Sequence, residues 1–340
     1  MLTVDGDTGD EQARDQRLWT VIVPGALALH DQGVIAAEAP VGRGSGVDLD
    51  DATTAAAAEV IERYAALRPG TKPVPARWLD GASTDLPAEQ VFLGRTGVTS
   101  NGLACGTSHS SAAASAVLEL LERDAIMTVW HHWSPATRLH LDHWLIRALE
   151  RAGVTVTLHE LPAAADVSVV LAVAYGDGQN HPGAVVGAAA NLDLGTAARK
   201  ALTELAGNVV ITRREIKAGQ WREVGDPSQV RSLLDHGFFY RDPTRAVAFA
   251  FLDGGDTRSV PGKAGRAPRL EELTSRCSDA GIRVAVADIT PADVAAKLGL
   301  HVVRAVSDDL VPLWFGHDHA PRDHPRLRGA AGNVWPHPFA

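Results

Sequence analysis

The chain has 340 residues, enough to bury a large core, and its 45 % hydrophobic and 21 % charged content belongs to a globular protein, not a disordered or fibrous one. A formal charge of −9 with no basic patch argues against general nucleic-acid binding, which neutralises phosphates with clustered Lys and Arg. Cys105 and Cys277 are too few for a disulfide scaffold or a Cys-based zinc site, and no apolar run reaches the roughly 18 residues of a membrane span, so a soluble cytoplasmic protein is expected.

Residues 1–16 are acidic and polar and are expected to be disordered, leaving 17–340 as one domain. Arg17 to Pro40 reads as a strand followed by a turn. Gly42 to Gly46 reads as a glycine-rich loop that could turn backbone N–H groups toward phosphates. Next comes an alanine-rich helix, Asp51 to Leu67, carrying Glu59, Glu62 and Arg63. Residues 68–87 contain four prolines and read as a loop, and Val91 to Leu93 as a short strand.

Ser100 to Ala125 then runs from a small-residue loop into a second strongly helical segment with Glu119, Glu122 and Arg123. Each of these lies 60 positions after its counterpart in the first helix, and Ser115 stands where Ala55 stands. Positions three and four apart share a helix face, so each copy presents two carboxylates beside a cation. One such face is commonly just a solvated surface with a weak i,i+4 pair. Two in matching contexts point to helices facing one another across a pocket, where Mg²⁺ bridged to a polyphosphate offsets the repulsion of four carboxylates.

His131 and His132, at the far end of the second helix, read as helix-end packing. Leu145 to Ala152 is a helix closed by Gly153. Alternating segments at 154–158, 167–174 and 184–190 are strands, and 196–215 is a third long helix bearing Glu204. Ala246 to Leu252 reads as a strand, and 254–269 as a mobile surface loop. A helix from Leu270, a strand at 283–288, a helix at 291–297 and a strand at 300–306 with Arg304 follow. His317, His319 and His324 read as a solvated loop. Pro336 and Pro338 make the 333–340 tail extended and able to thread into a cleft.

The loop and helix at 100–125 resemble the central signature of YcaO-domain proteins, and 51–67 resembles the first signature of that family. The resemblance spans residues 35–340 and includes the SNGLACG loop and the Pro-x-Pro end. It implies an α+β fold of mixed β-sheets with flanking helices enclosing an ATP site. It also implies an ATP- and Mg²⁺-dependent enzyme that phosphorylates a backbone amide oxygen of a precursor peptide, most often to form azolines, in relatives thioamides or amidines. In these terms Glu59, Glu62, Glu119, Glu122 and Glu204 hold the metals. Arg43, Ser45, Arg63, Ser100, Asn101, Thr107, Ser111, Ser115, Arg123 and Arg304 contact the nucleotide, and the Ala340 carboxylate, presented by Pro336 and Pro338, moves protons. The expected partners are the precursor peptide and a separate leader-peptide-binding or E1-like protein, with the chain itself a homodimer. Three departures stand out. The family carries Asn at Thr107 and Glu at Ser111, Gln is common at Gly207, and a Pro-Gly-Leu turn is replaced by Ser307 to Leu310. They open a second reading, a scaffold subunit with a degenerate ATP site.

Overall fold

The computed structural model describes residues 2–5, 17–24, 41–67, 70–93, 99–260, 265–316, 319–329 and 332–339. Three sheets organise these residues. The first pairs β1 (Leu2–Asp5), β2 (Arg17–Pro24) and β3 (Val41–Gly46), all antiparallel. After it come α1 (Leu49–Ala66), the hairpin β4 (Val74–Trp78) and β5 (Ser83–Leu86), α2 (Ala88–Val91), β6 (Leu103–Gly106) and α3 (His109–His132). The middle of the chain supplies β7 (Thr137–His140), α4 (Trp144–Arg151), β8 (Thr155–Leu161), β9 (Ser168–Tyr175), β10 (Ala184–Asn191), α5 (Leu194–Lys217) and α6 (Leu233–Phe239). The last elements are β11 (Thr257–Ser259), α7 (Leu270–Asp279), β12 (Ala285–Asp288), α8 (Ala292–Leu298) and β13 (His301–Val306).

The second sheet has the order β10-β9-β8-β7-β11 and is antiparallel except where β11 runs parallel to β7. The third has the order β5-β4-β12-β13-β6. Both are covered on two faces, which explains their unbroken apolar strands. On β9, Val169, Leu171 and Val173 pack into the core around α3, while Val170, Ala172 and Ala174 pack into a second core against α5. On β12, Val286 joins the α3 core, while Ala285 and Ala287 join a third core under α1. Thus α3 lies between two sheets, and α1 lies between the third sheet and the first. The first sheet also touches α5, so α1, α3 and α5 are brought around one internal space.

The 60-residue repeat is a strand–helix unit. Both helices start one residue after a side-chain N-cap, Asp48 for α1 and Ser108 for α3, again 60 positions apart. Asp48 accepts from the Asp50 amide at 2.7 Å, and Ser108 and Ser111 form a reciprocal capping box. What precedes α1 is not a loop: Val41–Gly46 is strand β3. Its glycines serve close packing, because a Cβ at Gly44 would overlap the Ala52 carbonyl oxygen and one at Gly42 the Ala56 carbonyl oxygen. Alternation then turns Arg43 and Ser45 to the opposite face.

Other expectations are corrected. Leu2–Asp5 is a strand where disorder is expected for 1–16; residues 6–16 lie outside the described residues. The proline-rich stretch before α2 contains the β4–β5 hairpin, turned at Asp80-Gly81 with Gly81 at φ 91°. Pro75 is tolerated because β12 pairs only with residues 76–78 of β4 and stops short of it. Val91 ends the short helix α2, and β11 forms within 254–269, which reads as loop. Pro243–Gly254 is a 3₁₀ helix, not a strand: Asp242 caps it, Pro243 opens it, and Ala248, Phe249 and Leu252 turn inward. The glycine packing leads to a prediction. Gly44→Ala should destabilise the fold by about 1–3 kcal/mol through overpacking, read as a lower denaturant midpoint; an unchanged midpoint would contradict the close approach of α1 to β3.

Candidate active site

Between α1, α3 and α5 lies a cavity of about 840 Å³. Glu59, Glu62 and Arg63 from α1, Glu119 and Arg123 from α3 and Glu204 from α5 all line it, so three of the four repeat carboxylates converge, while Glu122 is not in the wall and pairs with Arg123 instead. A backbone amide holds each carboxylate. The Cys105 amide donates to Glu62 at 2.7 Å and the Gly102 amide to Glu119 at 3.2 Å. Glu122 accepts from the Ala190 amide at 3.0 Å, Glu204 from Ala188, and Glu59 from Arg43. The five donors come from all three sheets: one from β3, two from β6 and the residue before it, and two from β10.

Charge is crowded here. Burial, then the neighbouring Glu119, pushes Glu62 up to about 8. Burial also lifts Glu119 to about 7, opposed by Arg123 and reinforced by Glu122. Glu204 is exposed in the cavity wall and is raised in the same way, first by desolvation among its neighbours and then by Glu122. Arg123 lies 3.7 Å from Glu119 and 3.3 Å from Glu122. Burial would depress its guanidinium, but Glu122, Glu119 and Glu204 hold it above its ordinary value. Its buried Nε–H has no hydrogen-bond partner among the described residues. Hydrogen bonds to a charged group contribute about 1.5–3 kcal/mol each, and withdrawing a carboxylate from water costs several kcal/mol. One amide per carboxylate therefore leaves a deficit that protons or cations make up. No group of three or more His, Cys, Asp or Glu side chains among the described residues could hold a metal ion by itself. The five glutamates are thus not one ligand shell: Glu59 is tied to Arg63 and the Arg43 amide. Such a set fits Mg²⁺, which keeps waters and binds through one or two carboxylates plus substrate phosphates.

Of the expected nucleotide contacts, Arg43, Ser45, Arg63, Ser100 and Arg123 line the cavity. Arg63 is engaged with Glu59 and donates to the Val41 carbonyl at 2.8 Å, so it orders the wall. Asn101 is buried and donates from Nδ2 to the Leu313 carbonyl at 2.9 Å. Ser111 and Ser115 share a helical stripe with Glu119 but are solvent-exposed and outside the wall, and Thr107 is exposed as well. The Ser111 hydroxyl belongs to the α3 capping box. Arg304 is a further correction: it sits in an interior strand, buried, and donates to the Gln90 and Thr99 carbonyls at 3.2 and 2.9 Å. Burial lowers it to about 10, against the pull of Glu119. Gly207 faces Ser45, and any side chain there would overlap that hydroxyl, which accounts for the departure at this position.

Sequence reasoning missed Asp51 and Lys200, both exposed and both in the wall. Lys200 lies one turn before Glu204 on the same stripe of α5, a signal that spacing could have supplied. It also missed Trp221 and Phe238, which no local pattern marks.

The tail enters the cavity. Trp130 Nε1 donates to the Trp335 carbonyl at 2.9 Å, and the Tyr240 hydroxyl donates to the Pro336 carbonyl. His236 accepts the Gly316 amide at Nε2, so Nδ1 carries the proton it donates to the His337 carbonyl at 2.8 Å. The two imidazoles stack with centroids 3.8 Å apart. Pro338 and Phe339 then line the cavity, and the Phe339 ring faces Arg123 at 5.6 Å. Ala340 lies outside the described residues, as does His317. His131, His132, His319 and His324 each bond a backbone carbonyl, as packing side chains do.

The raised carboxylates set a pH dependence. Glu62 and Glu119 keep protons in the folded chain that they lose near 4.5 when unfolded, so their contribution is complete below 4.5 and is lost as pH rises through about 7 to 8. His131, His143, His159 and His181, depressed mainly by burial, act in the opposite sense, but only below their usual 6.5. The metal-free protein should therefore lose melting temperature between about pH 6.5 and pH 8.5, with a shallower slope in Glu62→Gln. A flat or rising profile would contradict the crowding.

A family model described as YcaO cyclodehydratase, ATP- and Mg²⁺-binding, matches residues 70–311. An uncharacterized protein of Methanothermobacter thermautotrophicus is 25 % identical over 218 residues, 61 % of this chain and 54 % of that protein, so the chain spans about half the length of this curated relative. The fold is similar to that of YcaO from Methanopyrus kandleri bound with AMPPCP and Mg²⁺, with a TM-score of 0.62, 24 % identity, and 79 % of this chain and 78 % of that one covered. It is also similar to a chain of the E. coli microcin synthetase McbBCD complex, with a TM-score of 0.64, 13 % identity, and 100 % of both chains covered. No helix among the described residues is long and apolar enough to cross a membrane. With the family model covering more than half of the sequence, the chain belongs to the YcaO family of ATP- and Mg²⁺-binding proteins.

Proposed function

We propose that the protein modifies a ribosomally made precursor peptide by ATP- and Mg²⁺-dependent activation of a backbone amide, as an azoline-forming cyclodehydratase subunit working with a separate leader-binding partner. The observation that carries this reading is the convergence of Glu62, Glu119 and Glu204 with Arg123 and Lys200 on one cavity large enough for a nucleotide and a peptide segment. Its similarity to a chain of a multi-protein synthetase supports the partner.

In this scheme a Cys, Ser or Thr side chain of the peptide attacks the preceding carbonyl carbon, and the resulting oxyanion takes the γ-phosphoryl group of ATP. The attack closes the ring and releases the side-chain proton; phosphate then leaves with the former amide oxygen while the amide nitrogen gives up its proton, which leaves a C=N bond in the ring. Phosphoryl transfer demands mainly positioning and charge neutralisation. One or two carboxylates among Glu62, Glu119 and Glu204 would hold Mg²⁺ together with the substrate phosphates, where it would supply charge neutralisation, and Glu122, paired with Arg123, orders that guanidinium behind them. Arg123 and Lys200, both in the cavity wall, would meet the phosphates. The Ala340 carboxylate, carried by Pro336 and Pro338, is the candidate proton acceptor.

Glu62→Gln and Glu122→Gln are expected to abolish ATP turnover in the presence of peptide and partner while the fold persists; full activity in both variants would overturn the proposal. Calorimetry of Mg–ATP in two buffers of different ionisation enthalpy should detect proton release at pH 7, because Glu62 and Glu119 must deprotonate to bind a cation. A second reading, a scaffold subunit, is favoured by Thr107 and Ser111, which lie outside the wall where the family carries Asn and Glu. It predicts no Mg–ATP binding with or without partner in the same calorimetry.

A further inference from the structure

The cavity wall is chemically divided. Beside the carboxylates and cations, a stretch is formed by Trp221, Leu233, Leu234, Phe238, Phe315 and Pro338. Trp221 and Phe238 meet edge to face with centroids 5.2 Å apart, a fixed aromatic corner. The polar groups nearby are already engaged: Trp221 Nε1 donates to Glu215 at 3.0 Å, and Asn208 Nδ2 donates to the Val186 carbonyl at 2.9 Å. A purine presents donors and acceptors along its edge, and this stretch offers it few groups to pair with. An apolar side chain asks for none. Leu234 is 48 % exposed although it belongs to the cavity wall, so this corner opens to solution. It is also continuous with the compartment assigned to phosphoryl transfer, so a peptide bound there would present its neighbouring residue to the carboxylates.

We propose that this corner is a specificity subsite for a bulky apolar side chain of the substrate peptide, adjacent to the residue that is modified, with Trp221, Phe238 and Leu234 reading it. The assignment rests on the function proposed above. It makes the enzyme selective for Cys, Ser or Thr flanked by aromatic or large aliphatic residues and discriminates against acidic neighbours, whose charge would be desolvated without a partner.

The test uses two blocked tetrapeptides, acetyl-Gly-Phe-Cys-Gly-amide and acetyl-Gly-Asp-Cys-Gly-amide, titrated by saturation-transfer NMR into the full chain with and without Mg–AMPPCP. The Phe peptide is expected to bind roughly tenfold more tightly than the Asp peptide. Leu234→Asp, at a solvent-exposed position that the fold tolerates, and Trp221→Ala should each remove that preference while leaving Mg–AMPPCP affinity unchanged. Equal affinities in the wild-type chain, or a preference retained in both variants, would overturn the proposal. So would a loss of Mg–AMPPCP affinity in Leu234→Asp, which would assign the corner to the nucleotide base while leaving the proposed function standing. If the wild-type chain fails to bind Mg–AMPPCP at all, the proposed function fails, and the nucleotide-free peptide titration still decides the subsite.

Discussion

The site depends on carboxylates that three sheets hold in place with single backbone amides. Glu62 on the first repeat helix accepts from Cys105, on the strand that leads into the second repeat helix, so the two copies are stitched together at their functional faces. Glu122 and Glu204 are fixed in turn to neighbouring amides of β10, at Ala190 and Ala188. An amide fixes direction without neutralising charge. The arrangement is therefore electrostatically unfinished by construction, and in the function proposed above an incoming cation with its anionic ligand would complete it.

The packing around the site serves that placement. Alanines on α1 lie against glycines on β3, so the helix axis comes close enough for the Arg43 amide to reach Glu59. Trp130, His236 and Tyr240 fix three tail carbonyls, and the buried His337 side chain, stacked on His236, donates to the Trp314 carbonyl, so both the path of the tail and that side chain are constrained. Phe339 then covers one side of Arg123, limiting its access to water and strengthening its interaction with the surrounding carboxylates.

Much of this is legible in the sequence because it is local. Charges three and four positions apart mark a helix face whatever surrounds them, so the repeat and its four glutamates stand out. Buried strands such as β9 read clearly because both faces are apolar. What is not legible is set by neighbours distant in sequence. The glycines of β3 suggest a loop until the alanines of α1 are laid on them. Pro75 suggests a break until the short reach of β12 is seen. Arg304 suggests a phosphate contact until the Gln90 and Thr99 carbonyls surround it. Trp221 and Phe238 come from a segment with no periodic signal, and only the fold brings them to the cavity.

If the two repeat helices and α5 together form one cation-assisted nucleotide site, a divalent ion must sit among them beside the phosphates. A crystal of the protein grown with AMPPCP and Mn²⁺ in place of Mg²⁺ tests it directly, because manganese is located by its anomalous scattering. A peak is expected between α1, α3 and α5, with oxygens of one or two of Glu62, Glu119 and Glu204 about 2.0–2.3 Å away and the phosphates beside Arg123. A manganese peak on the outer surface, with the cavity holding neither metal nor nucleotide, would contradict it.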